Sequence, residues 1–355
     1  MGSFQTGVNK RVASILDTQR RRGEEVSSAH NESNLRRTAF LTQEVGHAYR
    51  FDTKILQLAY IAASFHDIVR TPKEDGSKAD AKESARIARA QLEEFNSITS
   101  AGGEVLFETS EEERDAVVFA IENHEKAPAR FENQKERNAD PETLQEKLHI
   151  ALFVADKMTA NGYDVMRRRS AFVAGDRLRN GDLKEFGFKP DIDKHRLLVV
   201  AAESAMRLGF INQESLYPER LKHVVEPLYK TQREYVRGVY KKLGLTNRQI
   251  AELLLGEGQF SQFRNAAEQS IAGVRADMYS IPPDIDELTT VLNKRTGITD
   301  KDITETSDDV ANAAVETVEY FSSHYRTDLD ELILMWQPQN PVAQEWQKGM
   351  LTLVA

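Results

Sequence analysis

The stretch Leu58-Ala59-Tyr60-Ile61-Ala62-Ala63-Ser64-Phe65-His66-Asp67-Ile68-Val69-Arg70 decides how the chain is read. It is an apolar run of helical character that ends in an adjacent histidine and aspartate. Burying two ionisable groups at the end of a core helix costs free energy unless each is paired or bound to a metal ion. Imidazole nitrogen and carboxylate oxygen together suit borderline cations such as zinc, manganese, iron, cobalt and nickel. The dipeptide alone also fits a plainer reading, in which a solvated Asp ends the helix and the His bonds a backbone carbonyl; two residues do not decide between them.

Two other segments add to it. Upstream, His30 opens His30-Asn31-Glu32-Ser33-Asn34-Leu35-Arg36-Arg37-Thr38-Ala39-Phe40-Leu41, whose apolar residues continue through Val45 at near-helical spacing. Downstream, Leu148-His149-Ile150-Ala151-Leu152-Phe153-Val154-Ala155-Asp156-Lys157 is a second apolar helix that ends in a carboxylate. The order is His, then His-Asp, then Asp, each on its own helix. This pattern resembles the HD superfamily of metal-dependent phosphohydrolases, H…HD…D on a helical bundle. The resemblance covers roughly residues 25 to 170. It implies that His30, His66, Asp67 and Asp156 hold one divalent transition metal ion and that the substrate is a nucleotide or another small phosphate ester. The segment Asp115 to His124 is similar to the family helix that ends in a histidine between the HD pair and the last Asp.

The whole chain sets bounds on these readings. Its 355 residues exceed one typical domain, so two are expected: an HD-type domain over 25–190, preceded by an arm over 1–24, and a helical domain over 191–355. Both read as all-α. A net charge of -9 argues against a protein whose main task is gripping a nucleic-acid backbone. The absence of cysteine excludes disulfides, thiolate metal sites and cysteine nucleophiles, and fits a reducing cytoplasm. No apolar run approaches the roughly twenty residues that span a bilayer, so no membrane partner is expected.

In chain order, residues 8–22 read as a helix with Val8, Val12, Ile15 and Leu16 on one face and Arg20-Arg21-Arg22 at its end, a solvated terminus or a phosphate-binding arm. His47 sits late in its helix and reads as structural. Residues 71–81 form a polar loop beside the site, with Lys73, Glu74, Lys78 and Asp80 in it. A helix over 83–95 and an exposed connection over 97–113 follow. Another apolar helix then runs from Asp115 to Asn123, and His124 ends it. Arg167-Arg168-Arg169 reads as solvated. Beyond residue 190 come amphipathic helices at about 194–208, 215–243, 246–256 and 259–278, with shorter ones from 284 to 335 and no legible chemistry. They offer a surface for homo-oligomers.

The chemistry expected of the first domain is hydrolysis by a metal-activated water. Asp67 or Glu74 orients or deprotonates that water, and His124 serves as general acid, as a group that orients a ligand, or as an extra ligand. Arg36, Arg37, Lys73 and Lys126 are the basic residues nearest by motif to hold the remaining phosphates. Lys157 adjoins a ligand position, but its place on the helix turns it elsewhere. Two alternatives stand beside this. One is a scaffold that keeps the fold without the chemistry; the other is a di-iron oxygenase of the same superfamily, which needs more histidines than His124 alone supplies.

Overall fold

A computed structural model describes residues 2–22, 32–69, 81–97, 107–132, 136–159, 161–171, parts of 197–208, 217–255, 285–324 and 328–352. The described residues are helical and contain no strand, as the apolar periodicity implies. Two compact units divide the chain: Met1–Thr159 with Leu216–Val224, and Ala160–Ser215 with Val225–Ala355. The chain thus leaves the first unit after Thr159. Residues 172–196, which include the boundary expected near 190, lie outside the described residues.

The first unit is built from α1 (Gly2–Arg21), α2 (Glu32–Ala48), α3 (Thr53–Phe65), α4 (Ala81–Ser97), α5 (Glu111–Asn123), the short α6 (Ala129–Glu132) and α7 (Leu144–Thr159). Of these, α3 is central. Every residue from Leu58 to Phe65 is buried, and α1, α2, α4, α5 and α7 all pack against it. A helix apolar on all sides has no face to give to water, so it must be surrounded. Its start is set by Asp52, whose carboxylate accepts from the Ile55 amide at 2.9 Å. Helix α7 has the same character, buried from Leu148 through Ala155. In α1, Val8, Val12 and Leu16 are buried on one face, and the helix begins at Gly2, earlier than the sequence pattern shows. Helix α5 begins at Glu111 inside the stretch expected to be a connection. Its signal is a capping box: Ser110 Oγ accepts from Glu113 N, and the Glu113 carboxylate accepts from Ser110 N at 2.9 Å.

The second unit holds a helical stretch over 163–171 with a π-helical centre (Val165–Arg169), then α8 (Lys222–Leu243, its first turn belonging to the first unit) and α9 (Asn247–Leu255). After these come α10 (Ile285–Thr296), α11 (Asp300–Glu305), α12 (Asp308–Ser323), α13 (Leu329–Met335) and α14 (Pro341–Thr352). Tyr235, Val239, Tyr240, Phe321, Trp336 and Trp346 are among the core residues. The helix expected over 259–278 lies outside the described residues, and α14 extends the unit beyond the expected elements. Arg167 is a correction to the solvated arginine run. It is 2 % exposed, with its guanidinium 2.6 Å from both Asp164 and Asp330 carboxylate oxygens, because the π-helical turn directs it inward.

Helices α8 and α12 approach closely at Gly238, where a Cβ would lie 2.7 Å from the Val310 carbonyl oxygen and 3.0 Å from Ala314 Cβ. The nearer obstacle is backbone, which cannot swing aside. Gly238→Ala is therefore expected to destabilise the fold by about 1–3 kcal/mol despite the better helix propensity of alanine. A denaturant titration reads this as a lower midpoint at unchanged slope.

Candidate metal centre

Helix α3 ends at Phe65 and helix α5 at Asn123, so His66 and His124 are each the first residue beyond a helix C-terminus. Both imidazoles fold back onto their own helix. His66 Nδ1 donates to the Ala63 carbonyl at 2.7 Å, and His124 Nδ1 donates to the Ile121 carbonyl at 2.6 Å. Those carbonyls belong to the last turn, where the helix leaves acceptors unused. A carbonyl only accepts, so each Nδ1 carries the proton and each Nε2 points away with a lone pair or a second proton.

The two Nε2 atoms face one carboxylate. His66 Nε2 is 3.5 Å from Asp67 Oδ2, and His124 Nε2 is 3.6 Å from Asp67 Oδ1. Asp156, on α7, adds a second carboxylate, with Oδ1 3.6 Å from His66 Nε2. The imidazole rings are 5.0 Å apart and nearly perpendicular. His66, Asp67 and His124 are 0 %, 3 % and 1 % exposed, whereas Asp156 keeps 21 % of its side chain exposed and marks the open side.

The turn that carries the pair is held from three sides. Ile68 N donates to the Phe65 carbonyl at 3.3 Å, Gln19 Nε2 of α1 donates to the Ile68 carbonyl at 3.0 Å, and Val69 N donates to Ser84 Oγ of α4 at 3.2 Å. The α1 end bearing Arg20, Arg21 and Arg22 is thereby anchored next to the turn. Arg20 is 3.0 Å from Asp17, and Arg21 and Arg22 are exposed.

These donors fit a divalent cation. Ligand atoms about 2.1 Å from a shared ion sit about 3.0 Å apart at octahedral and about 3.4 Å apart at tetrahedral angles. Separations of 3.5 and 3.6 Å are slightly wider than these and longer than good hydrogen bonds, and His66 Nε2 has no hydrogen-bond partner although fully buried. His66, Asp67 and His124 offer ligand atoms that all lie within 4.8 Å of one another. The C-termini of α3 and α5 add partial negative charge at the same place.

Electrostatics agree with a spot that wants positive charge. At His66 burial works to lower the pKa, and the carboxylates of Asp67 and Asp156 outweigh it, so the value is raised. Burial alone would raise Asp156; Lys157, His66 and His124 outweigh it and hold this carboxyl well below the ordinary range. Tyr217, in the segment that rejoins the first unit, is buried, and its phenol is pushed up by burial and then by the Asp156 charge.

No family model, curated protein or solved structure matches the chain. Of the residues singled out in the sequence, His66, Asp67, His124 and Asp156 come together here. His30, Lys73 and Glu74 lie outside the described residues, as do Lys78 and Asp80. Arg36 is exposed and paired with Glu32 one turn away, whereas Arg37 is buried. Lys126 is exposed. Lys157 is a correction: its Nζ lies 3.2 Å from Asp156 Oδ2, because a four-carbon stem bends back to its neighbour whatever the helix face. Tyr217 was not legible, since no local signal ties it to a site so far upstream.

The His66 pKa gives a sign to metal binding. In the metal-free protein, the attraction of protonated His66 for the carboxylates stabilises the fold fully below the ordinary imidazole value of about 6.5, and is lost as pH rises through the raised folded value. A metal ion competes with that proton. Affinity for Co²⁺ is therefore expected to rise with pH across the neutral range, by up to about tenfold per unit for one displaced proton. Isothermal titration at several pH values measures it, and a flat profile would contradict this picture.

Proposed function

We propose that the chain is a metal-dependent phosphohydrolase of the HD type, acting on a nucleotide or another small phosphate ester. The observation that carries the reading is the convergence of His66 and His124 Nε2 on the Asp67 carboxylate, with Asp156 beside them and both Nδ1 atoms committed to backbone carbonyls. His66, Asp67, His124 and Asp156 would hold one divalent ion, and the order of His30 in the sequence makes it the candidate for a further ligand. Such an ion supplies a Lewis acid for a phosphoryl oxygen and lowers the pKa of a bound water to near neutrality.

The protein's own groups divide the remaining work. Asp156 stays ionised at neutral pH, since its carboxyl is held well below the ordinary range, and its exposed fifth faces the side from which substrate arrives. A water on that side finds a charged acceptor to orient it. The Lys157 ammonium, 3.2 Å from Asp156, brings a positive charge to the same opening and suits a phosphate oxygen. Burial of His66, Asp67 and His124 keeps bulk water out, so the charges act at low dielectric. Arg21 and Arg22, on the end of α1 that Gln19 ties to the Ile68 carbonyl, would supply positive charge for the outer phosphates of a longer substrate.

Metal analysis and turnover test this together. Tag-free protein is expected to carry about one transition metal ion per chain, and Asp67→Ala to lose it. Hydrolysis of a panel of nucleotides and phosphate esters with added Mn²⁺ or Co²⁺ should fall by about a thousandfold or more in the same variant, the several kcal/mol that a metal supplies, with helical circular dichroism retained. Full activity in Asp67→Ala would refute the reading. A folded wild type that takes up no metal would leave a scaffold without the chemistry, and two iron atoms per chain would point to an oxygenase.

A further inference from the structure

His149 stands outside the cage, on α7, seven residues before Asp156 and so on the same helix face two turns earlier. It is 8 % exposed. Its Nε2 lies 2.9 Å from the Asn123 carbonyl oxygen and 3.0 Å from the Lys126 carbonyl oxygen. Both are acceptors, so Nε2 carries a proton and shares it between them. Those two carbonyls flank His124. Asn123 is the last residue of α5, and its carbonyl also accepts from Lys126 N at 2.9 Å, closing the turn in which His124 sits. The imidazole is seated between aromatic rings, edge-on to Phe119 at 5.7 Å and to Phe153 at 6.5 Å.

We infer that His149 is the positioning residue of the metal centre: its Nε2–H pins the Asn123–Lys126 turn to α7 and so fixes where His124 Nε2 stands relative to Asp156. This rests on the metal-binding reading of His66, Asp67, His124 and Asp156. The physical basis is a shared strut. Helix α7 carries Asp156 at one point and, about 10 Å earlier along its axis, a side-chain N–H that bonds both ends of the turn holding His124. Without that N–H, the turn keeps its own Lys126–Asn123 bond, and α5 keeps its packing on α7, but the turn loses its hydrogen bonds to α7. The Lys126 carbonyl then turns toward water, and His124 moves with it. Groups that orient metal ligands in this way typically contribute tenfold to a hundredfold in metal affinity.

The test uses the full tag-free chain and Co²⁺ as the probe. It reads affinity by competition with a chelator and the ligand geometry by the visible Co²⁺ spectrum, in wild type, His149→Phe and His149→Gln. Phenylalanine keeps the ring between Phe119 and Phe153 and removes only the donor. Glutamine places an amide N–H about where Nε2 lies. His149→Phe is expected to bind Co²⁺ about 10–100-fold more weakly with an altered spectrum and retained helical circular dichroism, and His149→Gln to return to within about threefold of wild type with the native spectrum. Wild-type affinity and spectrum in His149→Phe would overturn the inference, as would equal losses in both variants. Should His149→Phe not fold, His149→Gln decides alone, native binding supporting the role and lost binding overturning it. A folded wild type that takes no Co²⁺ at all would instead overturn the metal-binding reading, and the inference with it.

Discussion

The first unit depends on the burial of α3 on all sides. A helix that runs Leu58 to Phe65 without a solvated face forces α1, α2, α4, α5 and α7 to close around it. Fully burying side chains of this size is favourable by about 1.5–3 kcal/mol each for the large ones, and the surrounding helices exist as a stable set because they share that gain. The same constraint sets the character of the site. Where α3 ends, the chain is still inside the core, so the His66-Asp67 pair emerges with no water to receive it.

Buried ionisable groups then determine each other. His66 and His124 take the same position, one residue beyond a helix, and solve the same local problem by donating Nδ1–H to a last-turn carbonyl. The cost of that solution is that both Nε2 atoms are left to face inward, onto Asp67. Two carboxylates and two helix C-termini leave a buried spot that favours positive charge. The Asp67 and Asp156 carboxylates raise the His66 pKa against burial, and Lys157, with His66 and His124, holds that of Asp156 low against burial. A divalent cation would meet the same need without titrating away. On this view the protonation behaviour of the site and its fitness for a metal have one cause.

Side chains at the edge of the site show where spacing along a helix misleads. Lys157 lies a third of a turn from Asp156, yet its flexible stem reaches the same carboxylate. Arg36 is on the right helix and the wrong face, since an intrahelical pairing with Glu32 holds it at the surface. Arg167 reads as one of three solvated arginines, but a local π-helical turn moves it into the second unit, against Asp164 and Asp330. In each case the residue type was evident and its direction was not, because direction follows from rotamer, helix geometry and partners far away in the chain.

The all-helical class and the burial of the Leu58–Phe65 run were determined by the sequence itself, whereas the grouping of His66-Asp67 with Asp156 came from the resemblance to the HD pattern. The physical source of the first two is local: apolar periodicity dictates helices, and a run apolar on all sides must be surrounded. Only the tertiary structure decided that His124 faces the same Asp67 carboxylate as His66, that Gln19 and Ser84 hold the turn between them, and that Tyr217 and the Leu216–Val224 segment belong to the first unit. It likewise decided the place of His149, which in sequence is one histidine in an apolar helix and in space donates from α7 to the turn that follows α5. Such contacts depend on how separate helices stack, and stacking is set by the fit of whole faces rather than by any short run of residues.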